Sequence, residues 1–573
     1  MKPVISFAAV LMIKLSFYRA FAVIPVVNRQ PTGTLVNTTS GLLNGTSTAE
    51  AHAFYAVPFA QPPIGSLRFR SPLPVPYLGL IDASEYKLVQ CPQINRGNYT
   101  EDCLVLNVFV PSTLNLDTAI APEDGLPVMV WIHGGAFMTG SSTILFYHGE
   151  PLCNRTNTVI VTVNYRLGAF GFLSLNEGDV VLEGNQGIRD QQLALTWVKD
   201  NIANFGGDKN KVTIFGESAG AQSVVLHLVS PTSESLFHRA IIQSSPAYYQ
   251  FYTNTEANEL TRFLLQTINC TGTQGIQCLL EKDVDDIVAA YPAVVNFVGQ
   301  RKYGVGATET FRPYIDEVLI PDQPLKLLET GNWNKKAIII GSNTEEGQSE
   351  SFQQFHDFEL FKATTTYFFG PILAPSLIRE YSKLVANVSD DYDYIKLIED
   401  MTGDGLFVCP TRTLARLAYE TTNIPNSVFL YSNAYPPNAS THAVEIPYVF
   451  RTVFNETADD NIIMNMFSDY WGSFAHNEVP QSNTFATWPA YASTADELLR
   501  IKVPNTTVLT GFKNNICDFW DSLGIYINLT TDATVEMTTS NDIGIIVTTN
   551  GVYVQRKPLA MLFTCLLLFT IFY

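Results

Sequence analysis

Short apolar runs dense in β-branched residues recur through the middle of the chain. They are LPVMVWI from Leu126, TVIVTV from Thr158, VTIF from Val212, RAIIQ from Arg239, KAIIIG from Lys336 and SVFLYS from Ser427. Each has the length of a strand, and none alternates apolar with polar, so each predicts a strand covered on both faces. Helical patterns lie between several of them. Ile188, Leu195, Val198 and Ile202 mark one face of such a helix, and Gly206–Gly207 stop it. Strands alternating with helices predict an α/β fold, a large mostly parallel central sheet with helices on both faces. In such sheets functional residues gather beyond the carboxyl ends of the strands.

No Pro/Ser-rich linker or charge run divides the 573 residues before the last fifty or so. One large domain over 23–530 is therefore expected, and no fixed-period repeat suggests a solenoid or propeller. The formal net charge is −19, with no basic stripe, which argues against a nucleic-acid partner.

Both ends read as addresses. Residues 1–22 hold Lys2, an apolar run too short to span a bilayer comfortably, and a closing Ala20-Phe21-Ala22, as in a signal peptide. Residues 531–557 form a Thr-rich linker. Residues 558–573 form an apolar tail like that of a GPI attachment signal, with a short membrane anchor as the alternative. Asn37, Asn44, Asn98, Asn154, Asn269, Asn387, Asn438, Asn455, Asn505 and Asn528 each begin an N-x-S/T sequon, which agrees with export to the cell exterior or its outer face. In an exported chain the eight cysteines read as disulfides first. Cys91 and Cys103 bracket one short loop, Cys270 and Cys278 another. Cys409 and Cys517 lie far apart, Cys153 is left single, and no Cys/His spacing suggests a zinc site.

The chemistry-bearing stretch is KVTIFGESAGAQSV, Lys211 to Val224, where a strand hands over to a helix around Ser218. By itself G-x-S-x-G is a weak signal. The preceding strand, the small residues Gly216, Ala219 and Gly220, and the following helix supply the context of a nucleophile elbow. A tight turn with a capping serine is the bland alternative. Trp131 to Phe137, WIHGGAF, ends an earlier strand, and Gly134 and Gly135 can present bare N–H groups to an oxyanion beside the N–H of Ala219. A base should follow in the order Ser, acid, His. His442, on a polar loop after the SVFLYS strand, suits that role better than His356 in a mixed helical pattern or His476 at a helix end. The acid should leave another strand end, where Glu345 and Glu346 stand side by side.

With these residues in hand, the chain resembles the type-B carboxylesterase/lipase family, which includes the cholinesterases. The similarity is carried by FAQPPIGSLRFRSP from Phe59, EDCLVLNVFVP from Glu101, the long run Gly184 to Ala221, and HAVEIPYVF from His442. It implies an α/β-hydrolase fold and a serine esterase needing no metal or organic cofactor. Position by position it implies Ser218 as nucleophile, His442 as base and Glu346 as acid. Gly134, Gly135 and Ala219 would form the oxyanion hole. The implied disulfides are Cys91–Cys103, Cys270–Cys278 and Cys409–Cys517. The partner would be a small-molecule ester. A lipase, or a non-catalytic adhesion protein on the same fold, are the competing readings, and retention of every catalytic part favours catalysis.

Two departures stand out. Cholinesterases carry a long loop between the first two cysteines with a tryptophan that stacks on quaternary ammonium. Here residues 92–102, PQINRGNYTED, are short and lack tryptophan, so a choline ester is not the expected substrate. Ser245 stands where the family often has glycine, altering the wall beside the nucleophile.

Overall fold

The structure is a computed structural model that describes residues 34–526 apart from 95–97, 117–124, 178–179, 248, 273, 349–357 and 386–393, together with 547–548 and 551–552. The expected leader 1–22, the tail 558–573, nearly all of the linker 531–557, and His356, Asn387 and Asn528 lie outside the described residues.

The expected strands assemble into one sheet. In chain order its strands are β1 (Thr46–Ser47), β2 (Ala51–Pro58), β3 (Val105–Pro111), β4 (Leu126–Ile132), β5 (Val159–Val163), β6 (Gly207–Glu217), β7 (Arg239–Gln243), β8 (Ala337–Asn343), β9 (Val428–Asn433), β10 (Glu497–Ile501) and β11 (Thr507–Thr510). The spatial order is β11-β10-β9-β8-β7-β6-β4-β5-β3-β2-β1. From β10 to β5 every neighbouring pair is parallel, and the antiparallel pairings fall at the two edges.

Successive side chains of the inner strands point to opposite faces, and both faces are dry. Val128, Val130, Ile132, Ile214, Ile242, Ile338, Ile340 and Leu430 enter one core. Met129, Trp131, Phe215, Ile241, Ile339, Phe429 and Tyr431 enter the other. Helices α1 (Gln186–Asn201), α2 (Ala219–Val229) and α3 (Cys409–Thr421) cover the first face, and α4 (Ala458–Asn477) covers the second. This two-sided burial is why the strands read as unbroken apolar runs. Helix α1 ends in a short 3-10 turn closed by Gly206 at φ 74°, the stop expected from its sequence.

All three implied disulfides are present, and Cys153 is a buried free thiol. The Cys409–Cys517 bridge spans 108 residues and ties α3 to helix α5 (Asn514–Ser522). A cross-link of that span restricts the unfolded chain by about 4–5 kcal/mol. Replacing both cysteines by alanine is expected to lower the urea-unfolding free energy by roughly that amount. A loss below about 1 kcal/mol would show that the bridge constrains little.

Candidate functional site

The parallel register brings the candidate residues to one edge. Glu217 pairs with Gln243, Gly216 with Ile132, Gln243 with Gly341, and Asn343 with Asn433. The segments leaving β4, β6, β7, β8 and β9 therefore start side by side.

Ser218 lies between β6 and α2 with φ 56° and ψ −123°, a backbone that L-residues rarely adopt. Its N–H donates to Gln243 O at 3.0 Å, and its own carbonyl begins the helix by accepting from Gln222 N at 2.9 Å. The turn is held by close approach. A Cβ on Gly220 would sit 2.1 Å from Ile132 O, and one on Gly216 would sit 2.6 Å from Gly220 O. Strand and helix can meet this tightly only with glycine at both places.

Gly134 and Gly135 follow β4 directly. A Cβ on Gly134 would lie 2.7 Å from Glu217 O and 3.1 Å from Ser218 Cβ, so this backbone runs against the elbow itself. Tyr165 Oη donates to His133 O at 2.9 Å and its ring stacks on the His133 imidazole, which braces the turn from behind.

His442 sits on the loop after β9, as expected. Its Nδ1 is 2.7 Å from Glu346 Oε2, across 96 residues of chain. Glu346 is buried, and its other oxygen accepts from Asn343 N at 2.7 Å and from Ser244 Oγ. The adjacent Glu345 has a different task. Its backbone N–H donates to Ser440 O at 2.9 Å and its carboxylate accepts from Ser440 N at 3.2 Å, fastening the loop that carries His442. His476 lies in the last turn of α4, with Nε2 3.1 Å from Thr156 O.

The site holds more acid than the sequence suggested. His442 Nε2 is 3.0 Å from Glu217 Oε1, and the imidazole is only 7% exposed. Burial lowers the basicity of His442, but Glu217, Glu346 and Glu445 outweigh it and raise its pKa to about 9. Burial, with Glu445 and Glu346 adding to it, pushes the Glu217 carboxyl up to about 8, and the charge of His442 offsets this only in part. Glu445 is fully buried and accepts from Asn343 Nδ2 at 2.6 Å and Gln243 Nε2 at 3.0 Å. Both acids lie inside the quoted motifs, as the residue before the serine and the residue three past the histidine, but nothing in the order of residues shows that they turn toward the imidazole. Among the described residues no group of three or more His, Cys, Asp or Glu is arranged to hold a metal ion.

A sequence model described as "Carboxylesterase family" matches residues 32–520. The chain belongs to the carboxylesterase family. It is a carboxylic ester hydrolase. Similar relatives include an acetylcholinesterase of Leptinotarsa decemlineata, 30% identical over 552 residues and covering 85% of each chain. An acetylcholinesterase of Electrophorus electricus is 32% identical over 550 residues, covering 82% of this chain and 84% of that one. Among solved structures, a PNB esterase superposes with a TM-score of 0.73 at 29% identity, covering 85% of this chain and all of the other. The fold agrees with these relations: the large mixed sheet with helices on both faces is that of an α/β-hydrolase.

Proposed function

We propose that the chain is a serine esterase, exported to the cell exterior or its outer face, that cleaves small carboxylic esters through an acyl-enzyme. Ser218 attacks the carbonyl as His442 Nε2 takes its proton. Glu346 holds the imidazole by Nδ1 and stabilises its charged form. Gly134, Gly135 and Ala219 donate N–H groups to the tetrahedral oxyanion. His442 then protonates the departing alcohol, activates water and returns Ser218. The observation that carries this reading is the pairing of an elbow serine at φ 56° with a buried His442–Glu346 contact at the same sheet edge.

A choline ester is not the substrate this reading favours, because residues 92–102 contain no tryptophan. Export is supported by three disulfides and by the sequons. Asn37, Asn98, Asn154, Asn269, Asn438, Asn455 and Asn505 are all exposed, as a glycan requires. Among the described residues no helix is long and apolar enough to cross a membrane. The catalytic domain spans 23–530, followed by the linker and a tail exchanged for a GPI anchor.

The test is labelling of the purified glycosylated protein by a fluorophosphonate probe, together with turnover of a p-nitrophenyl ester series. Labelling that disappears in Ser218→Ala, with turnover of short esters, is expected. Folded protein that neither labels nor turns over would overturn the esterase reading, and an optimum at long acyl chains would make it a lipase.

The acidic surroundings of His442 give a pH prediction. An anionic neighbour stabilises the imidazolium, so the base stays protonated, and inactive, to higher pH. Glu217→Gln removes that charge, and the acidic limb of kcat/KM is expected to move down by about one pH unit or more. A limb that stays in place or moves up would show that Glu217 does not control the proton on His442.

A further inference from the structure

One ring against His442 is unaccounted for by the triad. Phe407 packs on the imidazole with centroids 4.5 Å apart and planes inclined by 41°. It comes from an unusual backbone, the π-helical turn Asp404–Val408, inserted between helix Ile395–Gly403 and α3. Such a turn adds a residue to the helical repeat and redirects its side chains, and is retained where the redirection is useful.

The turn is braced from the C-terminal side. Cys409, its next residue, is bridged to Cys517. Lys513 Nζ pairs with Asp404, which also accepts from Tyr381 Oη at 2.9 Å. Tyr526 Oη donates to Gly405 O at 3.1 Å, and a Cβ on Gly405 would meet the Trp520 ring at 2.5 Å. Residues 513–526 therefore clamp the segment that carries Phe407.

We propose that Phe407 is a positioning residue for ester hydrolysis. Its ring fixes the His442 imidazole between Glu346 and the elbow, and favours the imidazolium that forms as Ser218 loses its proton. This rests on the esterase reading above. An aromatic ring offers its negative π-face to a desolvated cation, which an aliphatic side chain of equal volume does not. Among the described residues, the charged groups that act on His442 include Glu217 from β6, Glu346 after β8, Glu445 beyond His442 itself and Glu309 from the segment after helix Tyr291–Thr308. All are acids, so the ring supplies steering and a weak cation preference without adding a further charge.

The experiment compares the glycosylated wild type with Phe407→Met, which keeps apolar volume, and Phe407→Tyr, which keeps the ring. Steady-state hydrolysis of p-nitrophenyl acetate is followed from pH 5 to pH 10, with fluorophosphonate labelling to count competent sites and thermal unfolding to register folding. Phe407→Met is expected to lower kcat about fivefold to thirtyfold with KM changed less than about threefold, and to move the acidic limb down. Phe407→Tyr is expected to restore both. The proposal is overturned if Phe407→Met retains wild-type kcat and acidic limb, or if Phe407→Tyr fails to restore what Phe407→Met loses. Should Phe407→Met unfold, the Tyr variant decides alone, since kcat and pH limb at wild-type values support the ring and a loss of either overturns it. A wild type that does not label would instead overturn the esterase reading.

Discussion

Ser218→Ala is expected to lower kcat/KM for a p-nitrophenyl ester by on the order of 10⁴- to 10⁶-fold while leaving the protein folded. Alanine keeps the Cβ and removes only the hydroxyl, so the packing of Gly134 against the elbow is retained. The residual rate would come from the oxyanion donors and the binding site, which persist without a nucleophile. The proton transfer needs both partners, so Ser218→Ala combined with His442→Ala should be scarcely worse than Ser218→Ala alone. Steady-state rates of the two single variants and the double variant measure this. Additive losses would mean that Ser218 and His442 act in separate steps, and retention of more than about a tenth of wild-type activity in Ser218→Ala would place the nucleophile elsewhere.

The second large effect is expected at Gly134. Alanine there keeps the backbone N–H, but its Cβ would press on Glu217 O at 2.7 Å, Glu217 Oε2 at 2.8 Å and Ser218 Cβ at 3.1 Å. Contacts that short are not tolerated, so either the glycine turn or the elbow must move by a few tenths of an ångström or more. Misalignment on that scale between nucleophile and oxyanion donors costs about 10²- to 10³-fold in kcat. The loss should appear in kcat rather than KM, because the donors act most strongly on the charged intermediate. Measuring kcat and KM after titrating competent sites with the fluorophosphonate probe separates the two. A Gly134→Ala enzyme with wild-type kcat would remove this turn from the oxyanion hole.

Much of this arrangement could be read along the chain because it is local. The elbow is one strand, two glycines and one helix within Lys211–Val224, and the structure has Ser218 at positive φ between β6 and α2. Strands β4 to β9 are recognisable from their apolar runs because both sheet faces are buried there. Five strands, β1, β2, β3, β10 and β11, carry no such signal: β1 and β11 are short edges, and polar residues interrupt the apolar runs of the other three, His52 in β2, Asn107 in β3 and Arg500 in β10.

Two adjacent glutamates follow β8, and residue types alone left them open, while the family resemblance pointed to Glu346. The structure separates them by partner: Glu346 contacts His442 Nδ1 and Glu345 accepts from Ser440 N.

Sequence by itself determined the strand–helix alternation, the elbow and its glycines, because each depends on backbone geometry and burial over a few residues. Only the tertiary structure decided that Glu217, Glu445 and Phe407 converge on His442. These groups come from separate strand ends and from a π-helical turn, and the parallel register of the sheet and the Cys409–Cys517 clamp bring them together. Their effect on one imidazole arises from burial and through-space charge, which have no signature in the order of residues along the chain.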